Sequence, residues 1–228
     1  MTEDIVGAGG THPADGSEDA SKPDHTLAFI NALGDISPDP TDLGRLHQSL
    51  ARRADDEGLL DLAYRSVDSP YGTFLVVVGP DGLVRVAFEL EGHDSVLDEM
   101  ADHISPRILR DERRTDAVAR QFDEYFSGER HDFELPVDLR LVSGFRRNVL
   151  DHMRRVPYGI TTSYAELAAA SGSPKAVRAV GSACATNPIP IVVPCHRVVR
   201  SDGTTGQYRG GPETKVALLA MEAGSGTG

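Results

Sequence analysis

Tryptophan is absent from this 228-residue chain, and cysteine occurs only twice, at Cys184 and Cys195. Two cysteines eleven positions apart are too few for a secreted scaffold held by disulfides, so a reducing cytoplasm with free thiols is expected. No apolar run approaches the roughly 20 residues of a membrane span, and the first residues lack the basic start and apolar core of a signal peptide. No group of cysteines and histidines has zinc-ligand spacing, and no cofactor motif occurs. The expectation is therefore no metal, no cofactor and no membrane contact. Positive charge is also scarce: the net charge is −12, which taken alone argues against a nucleic-acid partner.

That deficit is unevenly spread. Residues 143–228 carry ten Lys and Arg against five Asp and Glu, a net of +5, while the other residues carry a net of −17. A basic C-terminal module joined to an acidic N-terminal one fits DNA contact through the C-terminal part alone.

The first 24 residues are rich in Gly, Asp, Ser, Thr and Pro, a composition expected to be disordered. A short apolar segment, Thr26 to Leu33, is broken by Ser37-Pro38-Asp39-Pro40. Thr41-Asp42 is expected to cap a helix carrying Leu43, Leu46, Leu50 and Ala54 on one face. Thr73 to Val78 and Leu83 to Glu89 flank Gly79-Pro80-Asp81-Gly82, a β-hairpin pattern. Helices are expected at Ser95 to His103 and Asp116 to Phe126, and a strand at Phe133 to Leu139. Ser143 opens a further helix with Phe145, Val149, Leu150, Met153 and Val156 as its apolar stripe.

Ser163-Tyr164-Ala165-Glu166 is a capping box, and its helix stops at Ser171-Gly172. Ser173 is expected to cap the next helix, with Pro174 in its first turn and Lys175, Val177, Arg178, Val180 and Ala183 along it. Two short helices across a tight glycine turn read as a helix-turn-helix, a pattern that many helical hairpins share.

The run Asn187-Pro188-Ile189-Pro190-Ile191-Val192-Val193-Pro194-Cys195-His196-Arg197-Val198-Val199 dominates the C-terminal half. Pro194 pins the backbone before the thiol, and an imidazole follows it. A thiolate is the useful nucleophile, and a base or cation nearby generates it at neutral pH. A lone Cys-His pair of this kind is most often core packing.

The whole run carries more than the pair. It resembles the active-site motif of the O6-alkylguanine-DNA alkyltransferases, the methylated-DNA–protein-cysteine methyltransferase family, whose Pro-Cys-His-Arg-Val core follows an Asn-Pro-x-Pro segment. The resemblance spans about Phe145 to Glu222 and reaches loosely back to about Tyr64. It implies an α+β fold with a small N-terminal antiparallel-sheet, ribonuclease-H-like domain. A helical, winged helix-turn-helix-like domain that holds both DNA binding and chemistry follows. The expected division is a disordered tail at 1–25, a helical extension at 26–63, the α+β domain at 64–141 and the alkyltransferase domain at 142–225.

The resemblance implies direct-reversal DNA repair by a monomer on double-stranded DNA. The alkyl group of O6-alkylguanine, and of O4-alkylthymine, passes to Cys195 after base flipping through the minor groove. It makes His196 the base, acting through a water, Glu222 the partner that orients the imidazole, and Asn187 the brace of the loop. Arg178 aligns with the arginine that fills the gap in the base stack, and Tyr164 with the tyrosine that presses on the target phosphate. Tyr208 aligns with the hydroxyl that helps protonate guanine, Lys215 with a lysine bound to a backbone carbonyl near Cys195, and Pro190 with a substrate contact. Lys175 is a phosphate contact, and Ala176, Ala179, Gly181 and Ala183 allow close approach to the groove.

Two departures stand out. Arg209 replaces a small residue at the pocket mouth and is expected to limit bulky alkyl groups, and Val216-Ala217 stands where a tryptophan is common. No second thiol lies beside Cys195 in sequence, and Cys184 reads as a small apolar residue. The implied protein is stoichiometric and self-inactivating. The competing readings are a non-catalytic lesion-binding protein, whose relatives replace the cysteine, and a cysteine hydrolase, for which no oxyanion-hole motif is evident.

Overall fold

The computed structural model describes residues 39–224. The expected disordered tail and the apolar segment from Thr26 to Leu33 lie outside them. The first described element is helix α1, Pro40–Asp56. Asp39, not the expected Thr41-Asp42 pair, supplies the cap: its Oδ1 accepts from the Thr41 amide at 2.8 Å. Leu43, Leu46 and Leu50 of the anticipated stripe are 41%, 65% and 53% exposed, and the buried residue of the helix is Ala51. Alanine lets a helix backbone approach its neighbour closely, which leaves the longer leucines to either side.

Four strands form the first sheet: β1 (Leu62–Val67), β2 (Phe74–Gly79), β3 (Gly82–Phe88) and β4 (Ile108–Arg110), in the order β3-β2-β1-β4. β1 starts inside the stretch expected to be a helical extension, and β4 was not anticipated at all. The β1–β2 and β2–β3 pairs are antiparallel, and β4 joins β1 in parallel. Both faces are covered, so β2 is apolar at every position rather than alternating. Phe74, Val76 and Val78 pack towards Val118, Ala119 and Phe122 of α3 (Glu112–Phe126). Leu75 and Val77 pack towards Val96 and Met100 of α2 (His93–His103). Helix α3 starts four residues before the expected Asp116, because Asp111 caps it by accepting from the Arg113 amide at 2.9 Å.

The expected strand at Phe133 to Leu139 is absent. The segment meets β3 at a single parallel bridge between Val137 and Leu83, held by Leu83 N to the Pro136 carbonyl at 2.8 Å and Asp138 N to the Leu83 carbonyl at 2.9 Å. Gly82 beside this bridge has φ +128, and a Cβ there would collide with the Pro136 carbonyl.

The C-terminal half holds α4 (Gly144–Met153), α5 (Tyr164–Ala170), α6 (Val177–Ala185) and α7 (Pro212–Gly224). Two short parallel strands, β5 (Thr162–Ser163) and β6 (Val198–Val199), tie the start of α5 to the end of the cysteine motif. The Ser163–Glu166 capping box forms as read: Ser163 N donates to Glu166 Oε2 at 2.7 Å, and Glu166 N to Ser163 Oγ at 3.1 Å. Ser173 does not cap α6. Residues 173–176 make a turn closed by Ala176 N to the Ser173 carbonyl at 2.8 Å, and Ala176 is the N-cap without a side-chain bond. Lys175 therefore precedes the helix. One apolar core runs from the sheet face through α3 and α4 to Ile189, Ile191, Val193, Cys195 and Leu218.

Candidate active site

The Asn187–Pro194 segment leaves α6, passes the edge of β3 and enters a 3-10 turn at Cys195–Arg197. Val86 N donates to the Pro188 carbonyl at 2.9 Å, so the sheet domain anchors the segment at its start. Ile191 has φ 72, a costly backbone for a β-branched residue. Val193 N to the Ile189 carbonyl at 2.8 Å closes the bend around it. Pro190, expected to meet substrate, is buried.

Cys195 is 4% exposed. Its Sγ accepts from Asn187 Nδ2 at 3.2 Å, and the same amide group donates to the Val193 carbonyl at 2.8 Å. Asn187 Oδ1 accepts from Ile189 N at 3.0 Å. Burial pushes the thiol's pKa up, while the Asn187 hydrogen bond and the Lys215 ammonium pull it down. Lys215 is fully buried, and its Nζ donates to the Val198 carbonyl at 2.6 Å. It braces the backbone after the cysteine from within and does not face a ligand in solvent.

His196 is fully buried, with Nε2 at 2.9 Å from Glu222 Oε1. A carboxylate only accepts, so Nε2 carries the proton and the Nδ1 lone pair is left without a protein partner. Burial lowers the imidazole pKa, opposed by the Glu222 hydrogen bond and charge. Glu222 is itself buried, which alone would raise its carboxyl; hydrogen bonds from His196, Arg197 and Tyr125 hold it well below the usual carboxylate range. Arg197 contributes Nη2 to Oε1 at 2.8 Å and Nε to Oε2 at 2.9 Å. Gly159 N adds 3.1 Å to Oε2.

Tyr208 lies in the loop between β6 and α7, where its ring meets Phe88 edge-on at 5.4 Å and His196 at 6.4 Å. Its hydroxyl is buried without a protein partner, and burial holds its pKa well above the usual value. Arg209 forms an ion pair with Glu91 at 2.9 Å, and Glu91 also pairs with buried Arg85 at 2.5 Å. The cation expected to crowd the pocket mouth is thus tied to the sheet domain. Gly210 packs on Phe88 so closely that a Cβ would collide with the ring.

Cys195, His196, Glu222, Asn187, Tyr208 and Lys215 therefore share one interior site. Tyr164 lies at its edge, half-buried, and an added Cβ at Gly206 would stand 2.5 Å from its hydroxyl. Lys175, Arg178 and Ala179 are exposed. Ala183, read as a groove-facing small residue, is 1% exposed and faces the core with Val180 and Cys184. Of the ten basic residues in the C-terminal part, Arg197 and Lys215 are consumed by the interior and Arg209 by Glu91. Arg146, Arg147, Arg154, Arg155, Lys175, Arg178 and Arg200 are left exposed.

Sequence reasoning missed Arg197 and Tyr125 as partners of Glu222. Arg197 stands inside the motif and carried a local signal; Tyr125 is 97 residues from Glu222 and carried none. No cluster of three potential metal ligands occurs among the described residues. No helix among them is long and apolar enough to cross a membrane.

Known proteins resemble this chain in sequence and fold. A family model described as "6-O-methylguanine DNA methyltransferase, ribonuclease-like domain" matches residues 62–139, and one described as "6-O-methylguanine DNA methyltransferase, DNA binding domain" matches residues 144–224. A methylated-DNA–protein-cysteine methyltransferase of Mycolicibacterium paratuberculosis is 38% identical over 161 residues, covering 71% of this chain and 92% of that protein. The constitutive methylated-DNA–protein-cysteine methyltransferase of Bacillus subtilis is 36% identical over 160 residues, covering 70% and 94%. A crystal structure of Mycobacterium tuberculosis OGT in complex with DNA aligns with TM-score 0.62 and 35% identity over 72% of this chain and 94% of that one.

Proposed function

This chain belongs to the methylated-DNA–protein-cysteine methyltransferase family, and from that premise we propose that it repairs O6-alkylguanine in double-stranded DNA by moving the alkyl group irreversibly onto Cys195. The observation that carries this reading is the Cys195 thiol held by Asn187 at 3.2 Å, beside a His196 imidazole held by Glu222 at 2.9 Å.

The geometry supports the following chemistry. Nδ1 is the free lone pair of His196, and it takes the thiol proton through a water. The Asn187 amide and the Lys215 ammonium stabilise the resulting thiolate. The thiolate attacks the alkyl carbon in line. A carbon–sulfur bond forms, the carbon–oxygen bond breaks, and its electron pair stays with the guanine. The departing base needs a proton, and in this reading the Tyr208 hydroxyl, which is buried without a protein partner, relays it. Glu222 remains ionised throughout and balances the imidazolium.

The thiol of a residue only 4% exposed cannot reach a stacked base. The lesion must flip out, at a cost of a few kcal/mol. In this reading the exposed side of α6 enters the minor groove. Ala179 allows the approach, Arg178 fills the vacated stack, Tyr164 presses on the phosphate, and Lys175 and the other exposed arginines hold the backbone. The proposed substrates include O4-alkylthymine. A thioether is chemically stable, so the proposal is one turnover per chain, by a monomer. A free thiol at Cys195 is best kept by a reducing compartment such as the cytoplasm. Cys195→Ala tests the assignment: it should keep affinity for alkylated duplex and lose transfer, whereas residual transfer would place the nucleophile elsewhere.

A further inference from the structure

The sheet domain reaches into the catalytic site at one point that the chemistry above does not use. Tyr125, near the end of α3, is fully buried, and its hydroxyl donates to Glu222 Oε1 at 2.6 Å. We propose that Tyr125 is a positioning residue for alkyl transfer: its hydroxyl holds the Glu222 carboxylate and, through it, sets the proton affinity of His196. The inference rests on the reading of Cys195 and His196 given above.

A carboxylate has about four lone-pair positions. Glu222 Oε1 is shared by Tyr125, His196 Nε2 and Arg197 Nη2, and Oε2 accepts from Arg197 Nε and Gly159 N. The carboxylate is saturated, so each donor competes with the others for its charge. The Tyr125 donor sits on the same oxygen that balances the imidazolium. A carboxylate engaged by a short hydroxyl bond stabilises the imidazolium less, which keeps His196 neutral and able to accept the thiol proton.

The ring of Tyr125 is fixed independently of this bond. It packs against Phe126 at 5.2 Å, Phe133 at 5.1 Å and Tyr158 at 6.0 Å. Phenylalanine would satisfy every one of those contacts, so the hydroxyl is what remains to be explained. Burial raises its pKa far above the usual value, and it stays a donor at every working pH. The other charged or titratable groups acting on His196 are Glu222 and Lys215 from α7 and Arg197 from the 3-10 turn. The Tyr208 ring approaches from the β6–α7 loop.

Single-turnover transfer from an O6-methylguanine duplex, followed across pH in wild-type and Tyr125→Phe protein, tests this. Removing the hydroxyl should raise the proton affinity of His196. The acidic limb of the rate profile should then move up by about 0.5–1 pH unit, with a rate loss of roughly three- to tenfold on that limb and convergence at higher pH. Tyr158→Phe, which removes a neighbouring buried hydroxyl with no hydrogen-bond partner, should leave the limb in place. A uniform loss at every pH, coincident limbs, or an equal shift in Tyr158→Phe would each overturn the proposal. Absence of transfer by wild-type protein would instead overturn the reading of Cys195, and this inference with it.

Discussion

Asn187 Nδ2 lies 3.2 Å from Cys195 Sγ and 2.8 Å from the Val193 carbonyl oxygen. One amide group thus addresses both the proposed nucleophile and the segment that carries it. Replacing Asn187 with Ala removes these two bonds and the Ile189 anchor together. Leaving buried groups unpaired costs about 1–3 kcal/mol. The variant should melt several degrees lower and transfer methyl at least about tenfold more slowly, measured by thermal unfolding and single-turnover kinetics. Unchanged values of both would remove Asn187 from the account.

The acid stability of the protein should depend on Glu222 and His196. The folded-state pKa of Glu222 is depressed. Its contribution is present above the unfolded carboxyl value near 4.3 and is lost progressively as pH falls towards the folded value. The folded pKa of His196 is also lowered, so the unfolded state takes up a proton first, below about pH 6.5. Both terms make stability fall with acid. Glu222→Gln should flatten the part of the curve below about pH 4.3, as read from denaturant midpoints at a series of pH values.

Glu91 offsets Arg85, which is 3% exposed, and holds Arg209 at 2.9 Å. Removing one partner of a buried pair costs about 3–5 kcal/mol. Glu91→Ala should therefore lower the melting temperature clearly, and a melting temperature equal to wild type would show that the pair is solvated in practice.

Arg178→Ala should slow transfer on duplex DNA while sparing reaction with free O6-methylguanine base, since the side chain is exposed and remote from the thiol in chain position. Equal duplex rates in the two proteins would show that Arg178 does not occupy the stack.

The geometry of the site was legible where it is local. Pro194-Cys195-His196-Arg197 and the Ser163–Glu166 box are contiguous patterns whose geometry follows from their spacing. The fold was harder to read where neighbours decide it. β4 is three residues long and exists only through its pairing with β1. Phe133 to Leu139 has the composition of a strand but makes a single parallel bridge to β3, at Val137. Arg197 and Arg209 looked like surface charge in a count, and only the structure reveals them paired within the protein, whereas the Lys215 bond to a backbone carbonyl, expected from the resemblance, is found at Val198. The Tyr125–Glu222 bond joins two domains, and no pattern in either domain alone announces it.

The central claim is that Cys195 accepts the alkyl group. Intact-protein and peptide mass spectrometry after incubation with a duplex containing O6-methylguanine tests it most directly. The account predicts one methyl group per chain, located on Cys195, with guanine restored in the DNA. Tight binding of the duplex with no adduct on any residue would contradict it.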